Sequence, residues 1–267
     1  GYTAESAVKG CIVYGEDSLA LWEIVKGFLN KRLHALGFKN MYFPMFIPMA
    51  LMRKQPEHFK VFSRELATIT RVGEHRLDEE LVITPTSEMI IYEWFAREIK
   101  SFKQLPLKVN QYCSVVRWER LKENQPLLRG NEFLWQESHS AHRTKKEALF
   151  YVEKMLNAYK QLVADVLLLP AFVGVKPAHR KFPGAVKTFA IESLMPDNKA
   201  IQLATSHDLG RNFSRVLNIR FADPAGKQRL VWQACNGITT RCIGAMLLFH
   251  MDNRGFVLPP KAAHVQC

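Results

Sequence analysis

Cysteine is scarce in this 267-residue chain, and its spacing excludes a disulfide framework. The five cysteines are Cys11, Cys113, Cys235, Cys242 and Cys267. They contain no C-x-x-C pair, which indicates a reducing compartment and buried or incidental thiols. Because Cys235 and Cys242 lack the flanking ligands of a zinc site, we predict no structural zinc.

Long apolar runs are absent too. No uninterrupted run approaches the ~20 residues that cross a bilayer, so we predict no membrane span. The first residues, Gly1-Tyr2-Thr3, have neither the charged region nor the apolar core of an export signal. We therefore expect a soluble, cytoplasmic protein. No internal repeat or low-complexity linker marks a domain boundary, and the length fits one large domain or two small ones.

Acidic residues are few relative to basic ones: 25 aspartates and glutamates stand against 37 lysines and arginines, which gives the chain a net charge of +12. A positive field of this kind attracts polyanions such as nucleotides, nucleic acid or anionic lipid. No run of lysine and arginine is long enough to form a tail, so the charge is spread over folded surface. The alternative is a surplus of charge that serves only solubility.

The order of helical and strand-like segments predicts an α+β fold with a mainly antiparallel sheet flanked by helices, since strands and helices do not alternate. A helix beginning at Asp17 or Ser18 is predicted to end at Gly37. Residues 41–48 are nearly all apolar and contain two prolines, which predicts an edge strand and hints at a dimer interface. The alternative is an ordinary core helix with an edge strand. Residues 51–80 look like an irregular excursion over the surface, and a short helix is predicted over Leu209 to Val216.

The most informative stretch runs from Arg117 to His142. It predicts two antiparallel strands joined by a long basic loop, which is longer than a turn needs and therefore favours binding. Side chains alternate along a strand, so one face of the second strand carries Phe133, Trp135, Glu137 and His139. His142 falls on the other face, which argues against a metal-binding histidine pair. Arg117 and Arg129 frame the turn like a polyphosphate clamp. The alternative is an amphipathic hairpin with a solvated loop.

Two further places carry chemistry. The turn Thr86-Ser87-Glu88 stands at a helix entrance, where it serves either as a cap or as a hydroxyl and carboxylate for a ligand's ammonium group. Arg241 begins an apolar helix that follows Gly237. Burying an unpaired guanidinium costs several kcal/mol, so Arg241 needs an anionic partner there.

Together these segments resemble a class II aminoacyl-tRNA synthetase. Its motifs 1, 2 and 3 correspond to about 19–48, about 115–140 and about 237–260. Single residues narrow the resemblance to prolyl-tRNA synthetases of the archaeal and eukaryotic type. The matching stretches are Pro85-Thr86-Ser87-Glu88, Val116-Arg117-Trp118-Glu119, Glu132-Phe133-Leu134-Trp135-Gln136-Glu137, Thr205-Ser206-His207 and Val257-Leu258-Pro259-Pro260. The resemblance covers practically the whole chain, and it implies a class II synthetase catalytic domain over residues 1–267.

The resemblance implies that ATP activates L-proline to prolyl-adenylate and that the prolyl group then passes to tRNA(Pro). Arg117 and Arg241 would be catalytic. The implied proline site contains Thr86, Glu88, Arg117, Trp135, Glu137, His139 and His207. The implied ATP site contains Arg117, Glu119, Arg129, Phe133, Gln202, Thr205, Thr239 and Arg241. Mg²⁺ would arrive with ATP and meet Gln202, and a homodimer would form through motif 1.

The chain departs from the family pattern beside ATP. Many relatives have Arg-Thr-Arg-Glu-Phe where this chain has Arg129-Gly130-Asn131-Glu132-Phe133, and the loop looks one residue longer. Thr84 replaces a common arginine, and Cys235-Asn236 replaces a Ser-Trp pair. An anticodon-binding domain is expected to follow but is absent. Two alternatives remain: a synthetase-like regulatory protein that binds ATP and an amino acid without turnover, and a class II synthetase for another small amino acid.

Overall fold

The computed structural model describes residues 1–119 and 125–265. Cys267 and residues 120–124 of the predicted basic loop lie outside the described residues. The strands are β1 Thr3–Glu5, β2 Ile12–Tyr14, β3 Lys39–Asn40, β4 Phe46–Pro48, β5 Thr68–Val72, β6 His75–Ile83, β7 Leu107–Val116, β8 Glu132–His142, β9 Phe172–Val175, β10 Lys187–Leu194, β11 Ala200–Gly210, β12 Arg220–Ala222, β13 Gln228–Leu230, β14 Trp232–Thr239, β15 Met251–Asp252 and β16 Gly255–Phe256. The helices are α1 Glu16–Ala35, α2 Met49–Arg53, α3 Pro56–Phe62, α4 Glu88–Glu98, α5 Lys145–Gln161, α6 Asn212–Val216 and α7 Arg241–His250.

A seven-stranded sheet organises the molecule in the order β3-β7-β8-β14-β11-β10-β9. Its neighbours are antiparallel except for the short parallel pair β3–β7. β7 and β8 pair from Leu107↔Ala141 to Val116↔Glu132, as the hairpin prediction requires. The predicted α+β fold with a mainly antiparallel sheet is confirmed.

Each face of this sheet has its own hydrophobic core. On one face lie α1, α5 and α7, and α1 contributes Leu21, Val25, Leu29 and Leu33 at helical spacing. On the other face lie α4, α6 and the small sheet β4-β6-β5. This second core reaches the sheet at Ala141, near the end of β8. The remaining length of that face is therefore left to line a cavity.

Capping residues and a glycine mark the ends of two helices, α1 and α5. Gly37, with φ +77°, follows the last turn of α1 as predicted, because glycine adopts the left-handed region without a Cβ penalty. α1 begins at Glu16 rather than at Asp17 or Ser18, and Gly15 is its N-cap. At the start of α5, the Thr144 hydroxyl accepts a hydrogen bond from the Glu147 amide at 3.2 Å.

Two segment predictions were wrong in part. Residues 41–48 form no single strand: only Phe46–Pro48 is a strand, β4, and it lies at the edge of the small sheet, as the prolines predicted. Residues 51–80 are ordered as α2, α3 and the hairpin β5–β6. That hairpin is exposed along most of its length on both faces, so it lacks the apolar alternation by which a strand is recognised.

The helix predicted from Leu209 was placed too early. β11 continues through Leu209 to Gly210, and α6 begins at Asn212. Gly210 has φ +57°, and its turn separates the strand from the helix. Within the described ranges, no helix combines the length and the apolar character that a membrane crossing requires.

His142 gives the fold a measurable acid sensitivity. Its ring stacks on Tyr151 at 4.9 Å on the helical side of β8, and neither ring nitrogen has a hydrogen-bond partner among the described residues. Burial, with the charge of Lys108, lowers the pKa of His142 from 6.5 to about 3. Between about pH 6.5 and pH 3, His142 is therefore protonated in the unfolded chain and neutral in the folded chain.

We expect the contribution of His142 to stability to be complete above about pH 6.5 and to fall as pH drops toward 3, by up to about 1.4 kcal/mol per pH unit. Urea unfolding between pH 7 and 4 measures this loss. His142→Phe keeps a ring beside Tyr151 and serves as the reference, with a shallower decline expected. Identical pH slopes in the two proteins would contradict the assignment.

Candidate active site

A cavity of about 490 Å³ opens on the free length of the sheet face. All fourteen candidate site residues line it. They are Thr86, Glu88, Arg117, Glu119, Arg129, Phe133, Trp135, Glu137, His139, Gln202, Thr205, His207, Thr239 and Arg241. The four β8 residues among them follow the alternation that the sequence predicted, since they stand at every second position. The structure thus brings together segments that lie far apart in the chain.

The turn before α4 is built around a buried carboxylate. The Thr86 hydroxyl donates to Glu88 Oε2 at 2.5 Å, and Glu88 is 3% exposed. Ser87 makes no side-chain cap; its hydroxyl instead accepts a hydrogen bond from Gln111 at 2.8 Å. This arrangement favours the ligand-binding interpretation of the turn over the capping one.

Burial alone raises the pKa of Glu88, but the contacts with His58, His139 and Thr86 outweigh burial and hold that pKa well below its usual range. The carboxylate is therefore an anion at neutral pH. A buried anion attracts a cationic ligand strongly, because little water competes for it.

Glu137 and His139 form the adjoining wall. Glu137 accepts hydrogen bonds from Gln111 at 2.6 Å and from the Ser87 amide at 3.4 Å. His139 contacts Glu137 through Nε2 at 2.9 Å and the Tyr92 hydroxyl through Nδ1 at 3.0 Å. Both side chains are fully buried, and these contacts fix their orientation.

Spacing alone makes Glu88, His139 and Cys235 a possible metal cluster, since one ligand atom from each lies within 4.8 Å of the others. However, His139 already uses one ring nitrogen for Tyr92 and the other for Glu137. Burial raises the pKa of the Cys235 thiol well above its ordinary value, which disfavours the thiolate that a metal requires. The cluster is better described as a hydrogen-bonded wall.

His207 closes the pocket from β11. The Thr188 hydroxyl accepts a hydrogen bond from the Phe182 amide at 2.8 Å and lies 2.9 Å from His207 Nδ1, so it fixes the orientation of the ring. Burial lowers the pKa of His207 to about 4, and the ring lies 4.7 Å from that of Phe182. A neutral histidine in an aromatic wall suits an uncharged part of a ligand.

Arg117 lines the cavity and is held in place by its neighbours. Its Nε donates to the Pro85 carbonyl at 2.9 Å, and its guanidinium lies 5.2–5.5 Å from the rings of Phe62, Phe133 and Trp135. Burial lowers the pKa of Arg117. Among residues 1–119 and 125–265, no carboxylate lies within ion-pair distance of it.

Arg241 faces the cavity from the first turn of α7. Its Nε donates to the Leu128 carbonyl at 2.8 Å, and its amide donates to the Thr239 hydroxyl at 3.1 Å. Burial lowers its pKa, and the charge of Glu119 opposes that change. Among residues 1–119 and 125–265 no carboxylate forms an ion pair with Arg241, and the anionic partner that the sequence predicted stays a prediction.

The mouth of the cavity is internally paired. Arg129 Nε donates to Glu119 Oε2 at 2.6 Å, so the two side chains expected to hold different parts of ATP contact each other. Arg129 is exposed, and an ion pair of this kind is weak and readily exchanged. Their separate roles at a nucleotide stay predictions.

The atypical pair Gly130-Asn131 binds the N-terminal hairpin. The Asn131 amide donates to the Gly10 carbonyl at 2.6 Å, and its side chain donates to the Lys9 carbonyl at 3.1 Å. Gly10 has φ +87°, and a Cβ there would lie 2.2 Å from the Asn131 side chain. Asn131 is therefore a structural joint beside the cavity rather than a cavity-lining side chain.

The other departures also have structural partners. The Thr84 hydroxyl donates to the Met45 carbonyl at 2.6 Å, outside the cavity lining. Asn236 connects Ser138 and Ser206 on the opposite face of the sheet. Gly130, Cys235 and Asn236 all line the cavity. Cys235 pairs in register with His139, so its side chain lies on the face of the sheet that carries the site.

Sequence reasoning missed several residues around the cavity. They are Ile12, Tyr14, Phe62, His179, Arg180, Lys181 and Phe182, which line it, and Tyr92 and His58, which contact the lining. Most stand on segments that show no motif, and their partners lie far away in the chain. The basic triplet 179–181 was the one readable signal.

Comparison with known proteins identifies the family. Residues 70–250 match the family described as "tRNA synthetase class II core domain (G, H, P, S and T)". Among curated proteins, the chain is 44% identical over 261 residues to a proline–tRNA ligase of Borreliella burgdorferi and 44% identical over 256 residues to one of Natranaerobius thermophilus. These alignments cover 98% and 96% of this chain, and 53% of either relative.

The fold comparison agrees. A prolyl-tRNA synthetase from Cryptosporidium parvum, solved with halofuginone and AMPPNP, superposes with a TM-score of 0.93 at 40% identity. The match covers 98% of this chain and 52% of that one. The chain thus spans about half the length of the relatives that it matches.

Proposed function

Since the chain belongs to the class II tRNA synthetase core domain family, we propose that it is the catalytic domain of a proline–tRNA ligase. It activates L-proline with ATP to prolyl-adenylate and releases pyrophosphate, and the prolyl group then passes to tRNA(Pro). The observation that carries the proposal is one cavity lined by a buried carboxylate, Glu88, and by two guanidiniums, Arg117 and Arg241, that have no ion-pair partner in the part of the chain that the structure describes. The names of the similar proteins support proline as the amino acid.

The amino-acid end follows from charge. Glu88 and Thr86 receive the secondary ammonium of proline, since an ionised and buried carboxylate is the strongest cation site in the wall. Trp135, Glu137, His139 and His207 surround the ring, and the neutral state of His207 fits its apolar carbons. Glu137 acts mainly by holding His139, because its oxygens already accept hydrogen bonds.

The reaction needs no general base. Proline's carboxylate is already a nucleophile, and it attacks the α-phosphorus in line with the departing pyrophosphate. Arg117 bridges the carboxylate and the α-phosphate, and it neutralises charge as the new bond forms. Arg241 faces the phosphates from α7. Positioning and electrostatics supply the rate, since both guanidiniums are held by backbone carbonyls before substrate arrives.

The nucleotide end uses the remaining lining. Glu119 accepts a hydrogen bond from adenine, Phe133 stacks on it, and Arg129 leaves Glu119 to reach the γ-phosphate. Gln202, Thr205 and Thr239 lie beside the phosphates. Mg²⁺ arrives with ATP, and the amide oxygen of Gln202 and the hydroxyl oxygen of Thr205 are hard donors of the kind that Mg²⁺ prefers.

Proline-dependent exchange of pyrophosphate into ATP tests the proposal. We expect robust exchange with L-proline and at most weak exchange with serine or threonine, because Trp135, His139 and His207 form a pocket suited to a ring, and both ring nitrogens of His139 are already engaged by Tyr92 and Glu137. Robust exchange with serine or threonine instead would contradict the specificity. It would point to a class II enzyme for another small amino acid.

A second candidate function is binding without turnover. The Glu119–Arg129 ion pair and the docking of Asn131 on the N-terminal hairpin favour it, because both replace contacts expected to face ATP. Calorimetry can measure the binding of ATP and of proline to the protein. Binding of both without release of pyrophosphate would support this regulatory function.

Assembly and location complete the proposal. We expect a homodimer through α1 and the region of β4, where Tyr42 is 70% exposed and Phe46 is 44% exposed. We also expect the protein to act in the cytoplasm, where charged tRNA is used.

A further inference from the structure

One buried side chain next to the candidate amino-acid site has no role in the reaction described above. His58 stands on α3 and is 0% exposed. The rings of Phe62, Phe182 and Phe213 surround it at centroid distances of 4.8, 5.7 and 5.6 Å. Neither ring nitrogen of His58 has a hydrogen-bond partner among the described residues. A buried polar group without a partner is costly, so its presence in an aromatic cage requires a reason.

The reason lies on the far side of Glu88. His58 Nε2 is 3.6 Å from Glu88 Oε2, which is beyond a hydrogen bond but within ion-pair distance. Thr86 donates to the same oxygen. Glu88 lines the cavity and His58 does not, so the imidazole approaches the carboxylate from behind, away from any ligand.

The carboxylate needs this support because of its surroundings. Glu88 and Glu137 are both buried, and the Ser87 amide at the start of the Glu88 helix already contacts Glu137. Burial by itself favours the protonated, neutral form of Glu88, so the ionised form needs neighbours that stabilise it. His139 is occupied by Glu137 and Tyr92, which leaves His58 as the ring not engaged in another hydrogen bond among the described residues around Glu88.

We propose that His58 is a positioning residue for amino-acid recognition: it holds the Glu88 carboxylate ionised and aimed at the substrate's ammonium group. This inference rests on the proposed function, and it adds a residue from α3 that never touches the substrate. It also explains why a histidine occupies a cage where a fourth phenylalanine would pack without leaving nitrogens unpaired.

The matched variants His58→Met and His58→Gln test the proposal, because the two side chains have similar length and differ in the polar amide. Both are assayed by proline-dependent ATP–pyrophosphate exchange. We expect His58→Met to raise the KM for proline by about tenfold or more, while His58→Gln, which donates a hydrogen bond to Glu88, stays within about threefold of the wild type. The KM for ATP should change by less than about twofold in both.

A merely structural role gives a different result. If His58→Met and His58→Gln share the same KM for proline, or if the KM values for proline and ATP rise together, the proposal is overturned. The wild-type protein supplies a readout that needs no folded variant. With ¹³C-labelled glutamate carboxyls, the Glu88 signal should stay ionised well below the usual range of glutamate, and titration within that range would also overturn the proposal.

The same measurements separate this proposal from the proposed function. Exchange by the wild type with an unchanged proline KM in both variants defeats only the role of His58. Absence of exchange in the wild type defeats the proposed function, and the ¹³C titration then decides whether His58 controls Glu88. In that case the Glu88 signal of His58→Met should titrate at higher pH than that of His58→Gln.

Discussion

Replacing Arg117 by alanine is expected to lower the rate of proline-dependent pyrophosphate exchange by about 10³-fold. The guanidinium lines the cavity, is held by the Pro85 carbonyl at 2.9 Å and has no carboxylate partner among the described residues. Its positive charge is therefore available to the developing charge on the α-phosphate. Single-turnover kinetics with saturating proline and ATP measure the loss in the chemical step.

Arg117→Lys is the matched control. It keeps the charge but loses the planar fork and the contacts with Phe62, Phe133 and Trp135. We expect a loss intermediate between those of the wild type and the alanine variant, with thermal unfolding little changed in both. If Arg117→Ala unfolds, the residue is structural; if it retains more than about a tenth of the rate, the guanidinium is not the bridge that we propose.

Replacing Glu88 by glutamine is expected to raise the KM for proline by about 10²-fold and to leave the KM for ATP nearly unchanged. The change preserves shape and removes only the negative charge that receives the ammonium group. The buried position makes the effect large, because water reaches the pair only poorly. Steady-state exchange with proline and ATP varied separately measures both constants.

The reference for this variant is Glu119→Gln at the other end of the cavity. It should raise the KM for ATP and spare that for proline, since Glu119 stands beside Arg129 at the mouth. An unaltered KM for proline in the Glu88→Gln protein would show that the ammonium group binds elsewhere. Glu137 would then be the next carboxylate to test, because it is also buried and also lines the cavity.

The parts of this fold that the sequence predicted are those with a local periodic signal. The apolar stripe of α1 and the alternation of β8 place side chains directly, so the wall formed by Trp135, Glu137 and His139 was readable. The hairpin β5–β6 was not, because it is exposed on both faces and shows no alternation. Strand propensity and hydrophobic alternation reflect which side chains are buried, and most side chains of this hairpin are exposed.

The site was predictable as a set of residues but not as a set of pairs. Nothing local shows that His58 lies behind Glu88, 30 positions away, since the contact depends on how α3 packs beside α4. The same holds for Tyr92 with His139 and for Arg129 with Glu119. These contacts depend on the tertiary structure. The resemblance to the synthetase family implied a role for each site residue but not which residues contact it.

The joint between Asn131 and the N-terminal hairpin makes the first residues of the chain part of the support of the cavity. The Asn131 side chain donates to the Lys9 carbonyl, and this contact spans 122 positions. Closing a loop of that length costs roughly 1 kcal/mol more in chain entropy than closing the loop of 50 positions between Ser87 and Glu137. The contacts of the N-terminal hairpin with Asn131 therefore have to offset a larger loss of chain entropy than the Ser87–Glu137 contact does.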